Sequence, residues 1–216
     1  MALIYQAQLT PTKAAMLRDW IPRQPWIGSA DASSLEVAGA YRFDDPDGEV
    51  GIETHLVRTA DGQVVQVPVT YRGAPLAGAE SALITTMHHS VLGERWVYDA
   101  CADPVYVRAL VTAIVAGGTE AKLEFASPGE RPEVTTRVSG SGSPRSAVPV
   151  VDAVTCASAG ANTVITSGDI DVELVRVLDS DRVPDDQALA LGGIWPGQDV
   201  PALLAIAHST AVGHNG

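Results

Sequence analysis

No stretch of the chain has less freedom than the run from Val50 to Tyr71. Ile52, Thr54, Leu56 and Arg58 alternate there with Gly51, Glu53, His55 and Val57, which is the period of two that marks a β-strand. Asp61-Gly62 is the dipeptide of a tight hairpin turn, and Gln63 to Tyr71 returns as a second strand. Leu35 to Phe43 reads as a further strand, separated from this hairpin by the turn sequence Asp44-Asp45-Pro46-Asp47-Gly48. Trp96 to Tyr98 reads as a fourth.

Two helices accompany these strands. Ala14, Leu17 and Ile21 share a helical face over Lys13 to Trp20, with Thr10 as the expected N-cap and Pro11 at the first helical position. Pro22 and Pro25 then make a rigid turn. Pro104 to Val115 is the second helix, with Asp103 placed to cap it.

Ser139 to Ser146, with its Gly-Ser-Gly-Ser-Pro core, reads as a linker. The expected division is therefore a domain over 1–125, a linker over 126–147, a smaller β-rich unit over 148–207, and a tail over 208–216. In the smaller unit Val148–Cys156, Thr163–Thr166 and Val172–Leu178 read as strands, and Asp185–Leu191 as a helix.

Composition narrows the function classes. The formal net charge is −12, and such a surface repels phosphate backbones, so nucleic acid is not an expected partner. No apolar run reaches the roughly 18 residues of a membrane span, and no secretory leader is recognisable, so the expected location is the cytoplasm. Cys101 and Cys156 form no CxxC pair and read as two small buried hydrophobes. His88-His89 reads as a solvated loop, since neighbouring residues point apart. His208 and His214 lack metal-site partners at suitable spacing. The acidic turn 44–49 lacks the calcium-loop pattern. There is no G-x-S-x-G, Walker A, G-x-G-x-x-G or H-E-x-x-H motif. No metal and no cofactor is expected.

Four blocks in register carry a resemblance. They are Leu17–Trp26, Phe43–Glu53, Val67–Leu76, and Val91–Asp99 followed by Asp103-Pro104-Val105. Together they resemble the N-terminal cap domain of actinobacterial maltokinases over residues 1 to about 117. A more distant similarity, over roughly 148 to 206, links Ser158–Val164, Leu174–Leu178, Pro184–Gln187 and Asp199–Leu204 to the nucleotide-binding N-lobe that follows this cap. The resemblance implies an α+β fold: a curved antiparallel sheet packed on helices, then a smaller kinase-N-lobe-like subdomain.

The departures matter more than the match. The resemblance puts the nucleotide-contacting lysine at Arg176 and its helix glutamate at Gln187. Phosphoryl transfer needs that Lys–Glu ion pair and a catalytic lobe with its metal ligands, and arginine does not substitute for lysine at a tight phosphate site. The lobe of the family that supplies those ligands has no counterpart in residues 207–216. The expectation is a chain that does not catalyse phosphotransfer. It would serve as an interaction or regulatory module linked to trehalose, maltose or glycogen metabolism, with a carbohydrate enzyme, a kinase or a second copy as partner. The alternative is a small-ligand (nucleotide or sugar) binding protein, motivated by Asn162 and Thr163. The expected contact residues are Trp26, Arg23, Arg72, Asn162, Thr163, Arg176 and Gln187. Trp20, Trp26, Tyr71 and Trp96 read first as core anchors, with an aromatic contact platform as the alternative.

Overall fold

Two antiparallel sheets meet at one valine-rich strand in the computed structural model, which describes residues 2–4, 7–125, 135–179, 181–183 and 188–210. In chain order the strands are β1 (Ala2–Ile4), β2 (Leu9–Thr10), β3 (Leu35–Phe43), β4 (Gly51–Thr59), β5 (Val64–Arg72), β6 (Leu83–His89), β7 (Gly93–Asp99), β8 (Leu123–Phe125), β9 (Arg137–Gly140), β10 (Thr155–Ala159), β11 (Asn162–Ser167), β12 (Ile170–Val175), β13 (Val177–Leu178), β14 (Leu189–Trp195) and β15 (Gln198–Ser209). The two α-helices are α1 (Lys13–Trp20) and α2 (Pro104–Ala116).

The first sheet runs β2-β6-β7-β5-β4-β3, with β13 also paired to β5. The second runs β10-β11-β12-β15-β14-β9. The short β1 pairs in parallel with β8.

The alternation along β4 and β5 explains the layering. Val57, Val65, Val67 and Val69 face α1 and pack with Met16, Leu17, Ile21, Trp26, Met87 and Val97. Ile52, Leu56 and Val64 face the other way, into a larger core shared with α2 and the second sheet. Both faces of these strands are covered, so they are buried along almost their whole length.

β5 is the seam between the sheets. Its C-terminal half, Val69–Arg72, pairs with β7, whereas Val64 and Val65 pair with Leu178 and Val177 of β13. Gln66 lies between these ladders and is fully buried. Its backbone N–H donates to the Arg176 carbonyl at 2.7 Å. Its side-chain amide donates to the carbonyls of Val175 and Leu204 at 2.9 and 3.0 Å, and its Oε1 accepts from the Tyr41 hydroxyl at 2.8 Å. A buried amide so fully satisfied fixes the alignment of the two sheets.

Several expectations need correction. The cap of α1 is Thr12, whose Oγ1 accepts from Ala15 N–H, and not Thr10, because Thr10 pairs with His88 in the sheet. His88 and His89 lie in strand β6, which the loop-like sequence Thr85-Thr86-Met87-His88-His89 concealed. Cys101 is buried but Cys156 is exposed, on the small-residue strand β10; both thiols are free.

Regular strand between 148 and 156 is confined to its last two residues, where β10 begins. Residues 189–191, expected to end a helix, are strand β14, since pairing with β15 on one side and β9 on the other outweighs the helix propensity of Ala and Leu. His208 and Ser209 belong to β15 and not to a tail. Residues 126–134, 184–187 and 211–216, and with them Gln187, lie outside the described residues.

The expected linker is the largest difference. Arg137–Gly140 is strand β9, and its last residue Gly140 and the following Gly142 pack on the end of α2. Gly142 N–H donates to the Ile114 carbonyl and Ser143 N–H to that of Val115, each at 2.9 Å. These amides cap helix carbonyls that have no partner inside the helix. Helix α2 also packs against β9, β14 and β15, so it serves the second sheet as well as the first domain to which its position in the sequence assigned it.

Candidate functional site

Three of the expected contact residues meet inside the protein. Arg176 follows β12 and is fully buried. Its Nε donates to Thr163 Oγ1 at 2.8 Å, and its Nη2 donates to Asp99 Oδ2 at 2.6 Å and lies 3.1 Å from Cys101 Sγ. The ring of Trp26, itself buried, stacks 5.2 Å from the guanidinium carbon. Burial dominates at the neighbouring Cys101 and pushes its thiol up, so the group is neutral. The cluster therefore joins the two sheets and Trp26 through one buried ion pair.

The remaining expected residues do not come together. Arg72 grips Asp103 through Nε and Nη2, both at 2.7 Å, while Asp103 Oδ1 caps α2 by accepting from Val105 N–H at 3.0 Å. Arg23 is exposed and paired with Asp19 one helical turn away. Asn162 stands at the β10–β11 turn and donates to Glu173 at 2.7 Å.

A second polar cluster lines a cavity that sequence reasoning missed. The cavity has a volume of about 430 Å³ and opens between the start of α1, the β3–β4 turn and the ends of β5, β6 and β7. That size is typical of a small-molecule site. At its floor Glu53, nearly buried, meets Lys13 Nζ at 2.5 Å and Arg42 Nη2 at 3.2 Å. Arg42 and Glu53 are direct cross-strand partners of β3 and β4. Lys13 also lies 5.5 Å above the Tyr71 ring, and His55 Nε2 is 3.4 Å from the Tyr71 hydroxyl. Met87, Phe43, Ile52 and Leu92 supply apolar walls. The available signal was Glu53 and His55 at i and i+2, two ionisable residues on one face of a doubly covered strand.

Burial alone would push the Glu53 carboxyl up, but His55 once protonated in acid, together with Arg42 and Lys13, outweighs it and holds it well below the usual range. Burial likewise pushes the His55 imidazole down against the pull of Glu53. At neutral pH His55 is therefore uncharged, and Arg42 and Lys13 hold Glu53 ionised.

Both shifts act in the same direction. A folded-state pKa below the unfolded value stabilises above the unfolded pKa and is lost as pH falls. Stability is thus expected to decline below pH 6.5 as His55 resists protonation, and again below pH 4.5 as Glu53 does. Thermal unfolding at pH 7.5, 5.5 and 4 checks this, and Glu53→Gln should remove the lower step.

Residues 20–103 match the maltokinase N-terminal cap domain. The matched segment takes in β3 to β7 and ends at Asp103, the residue gripped by Arg72. Lys13 precedes the matched segment, whereas Arg42, Glu53 and Tyr71 lie within it. No curated protein matches the chain. Among solved structures, a glucosamine kinase in complex with glucosamine, ADP and inorganic phosphate is similar at 14% identity and a TM-score of 0.46 over 94% of this chain. The chain spans 42% of that protein. Among the described residues no group of three or more His, Cys, Asp or Glu could hold a metal ion, and no helix is long and apolar enough to cross a membrane.

Proposed function

We propose that this chain is a maltokinase-related interaction or regulatory module that does not transfer phosphate. One observation carries the reading. Arg176, which the resemblance places at the nucleotide lysine position, is fully buried and engaged by Asp99, Thr163, Cys101 and Trp26. A nucleotide phosphate would have to displace a desolvated ion pair to reach it, and no binding energy is gained by leaving Asp99 uncompensated. Thr163, in the segment that the resemblance sets beside the phosphates, lies on strand β11 and is turned inward to the same guanidinium.

The partner on this reading is a cytoplasmic carbohydrate enzyme, a kinase lobe carried on another chain, or a second copy. The choice rests on analogy with the family of the cap. Calorimetry with Mg-ATP, together with a phosphotransfer assay on maltose, tests the central claim. Neither heat at millimolar nucleotide nor turnover is expected, and micromolar Mg-ATP binding would overturn it.

A further inference from the structure

The cavity of the cap-like domain is built around a charge imbalance. Glu53 is one carboxylate facing two cations, Lys13 and Arg42. Both cations meet the same oxygen, its Oε2. His55 adds no further charge at pH 7, since burial keeps it neutral. Lys13 carries three N–H donors and Arg42 five. Among the described residues Glu53 is the one ionic partner of each. Lys13 is 31% and Arg42 23% exposed, and both line the cavity. The floor therefore offers surplus donors and a surplus positive charge inside low-dielectric walls, where such charge acts most strongly.

The rim differs. Asp45 spends its carboxylate on the backbone N–H groups of Asp47, Glu49 and Val50. It still carries charge at the cavity mouth with Asp44 and Glu49. A polyanion would meet this rim unfavourably, while a single anionic group with a compact body could pass it.

We propose that this cavity binds a small organic oxyanion, a carboxylate or a phosphate monoester, with its charged group between Lys13 and Arg42 and its body against Tyr71, Met87 and Leu92. The site is separate from the Arg176 cluster and does not depend on whether the chain transfers phosphate. Both oxyanions accept bidentate or forked N–H donors, so the geometry names the shared chemistry.

The test is calorimetry on the full chain at low salt with gluconate, glucose 6-phosphate, glucose and ATP, followed by displacement with acetate or inorganic phosphate. Gluconate or glucose 6-phosphate should bind at least tenfold more tightly than glucose or ATP. Displacement by acetate marks a carboxylate site, and displacement by phosphate a phosphate site. Lys13→Gln should weaken binding at least tenfold while circular dichroism stays unchanged, and Arg42→Gln should do the same. Silence of both anions at millimolar concentration overturns the proposal, as does equal binding of glucose. If neither variant folds, the wild type decides: affinity must fall between 50 and 500 mM salt, and a flat response refutes the charge-based site.

Discussion

Arg176→Met is expected to cost about 3–5 kcal/mol, the usual penalty for removing one partner of a buried ion pair. Methionine keeps the length and much of the volume but removes every donor. Asp99 would lose its counter-charge, Thr163 Oγ1 its donor, and Trp26 the cation above its ring. In a domain of this size the midpoint of thermal unfolding should fall by about 10 °C or more. Arg176→Lys should recover little, since one ammonium cannot reach Thr163 and Asp99 in the directions a planar guanidinium does. Asp99→Asn added to Arg176→Met should recover a large part, because it removes the stranded charge while the side-chain oxygen can still accept from Cys101 N–H. Urea unfolding of the wild type, Arg176→Met, Asp99→Asn and the double variant measures the cycle. A loss below about 1 kcal/mol for Arg176→Met would mean that the pair is not desolvated in solution.

Gly142→Ala should be comparably damaging, in a segment that reads as a flexible spacer. A β-carbon there would sit 2.0 Å from the Val115 carbonyl oxygen and 2.5 Å from that of Ile114. At Gly140 it would sit 1.9 Å from the Ala113 oxygen. These are backbone atoms at a helix end, so no rotamer change relieves the clash. Either α2 shifts or the strand withdraws, and the capping bonds to Ile114 and Val115 break. About 3 kcal/mol or more is expected at each position, at the upper end of overpacking effects. Gly62→Ala is the control. Its φ of 88° requires a left-handed turn but nothing lies within 4 Å of the added atom, so about 1 kcal/mol is expected. Equal losses at Gly62 and Gly142 would show that backbone conformation and not packing makes these glycines necessary.

These two sites also mark where the sequence was legible and where it was not. The β4–β5 hairpin was readable because turn chemistry and alternation are local. Helix α2 was readable for the same reason, from Asp103 before Pro104 to the glycines after Ala116. Gly140 and Gly142 were not, because a glycine needed for close approach looks the same as one needed for flexibility until the opposing helix is known. β14 failed for a related cause: its partners come from residues 137–140 and 198–207, and neither is visible from its own composition.

The site divided along the same line. Arg176 was singled out as a ligand or partner contact, yet it is an interior group, since burial depends on strands that arrive from far along the chain. Arg42 and Glu53 were passed over because their meaning comes from cross-strand register, and Lys13 because it was read only as the start of a helix.

The shared strand β5 separates two notions of a module. The matched cap segment stops at Asp103, yet Gln66 within it spends its side-chain amide on Val175 and Leu204, far outside the match. A protein cut after the cap would strand that amide and bare the apolar face that Leu56 and Ile52 turn toward the second sheet. The segment that matches the cap family is therefore smaller than the unit that closes its own core. Amide exchange should report this directly: the protection of Gln66 N–H and of the strands on either side of the seam should collapse together, in one cooperative opening.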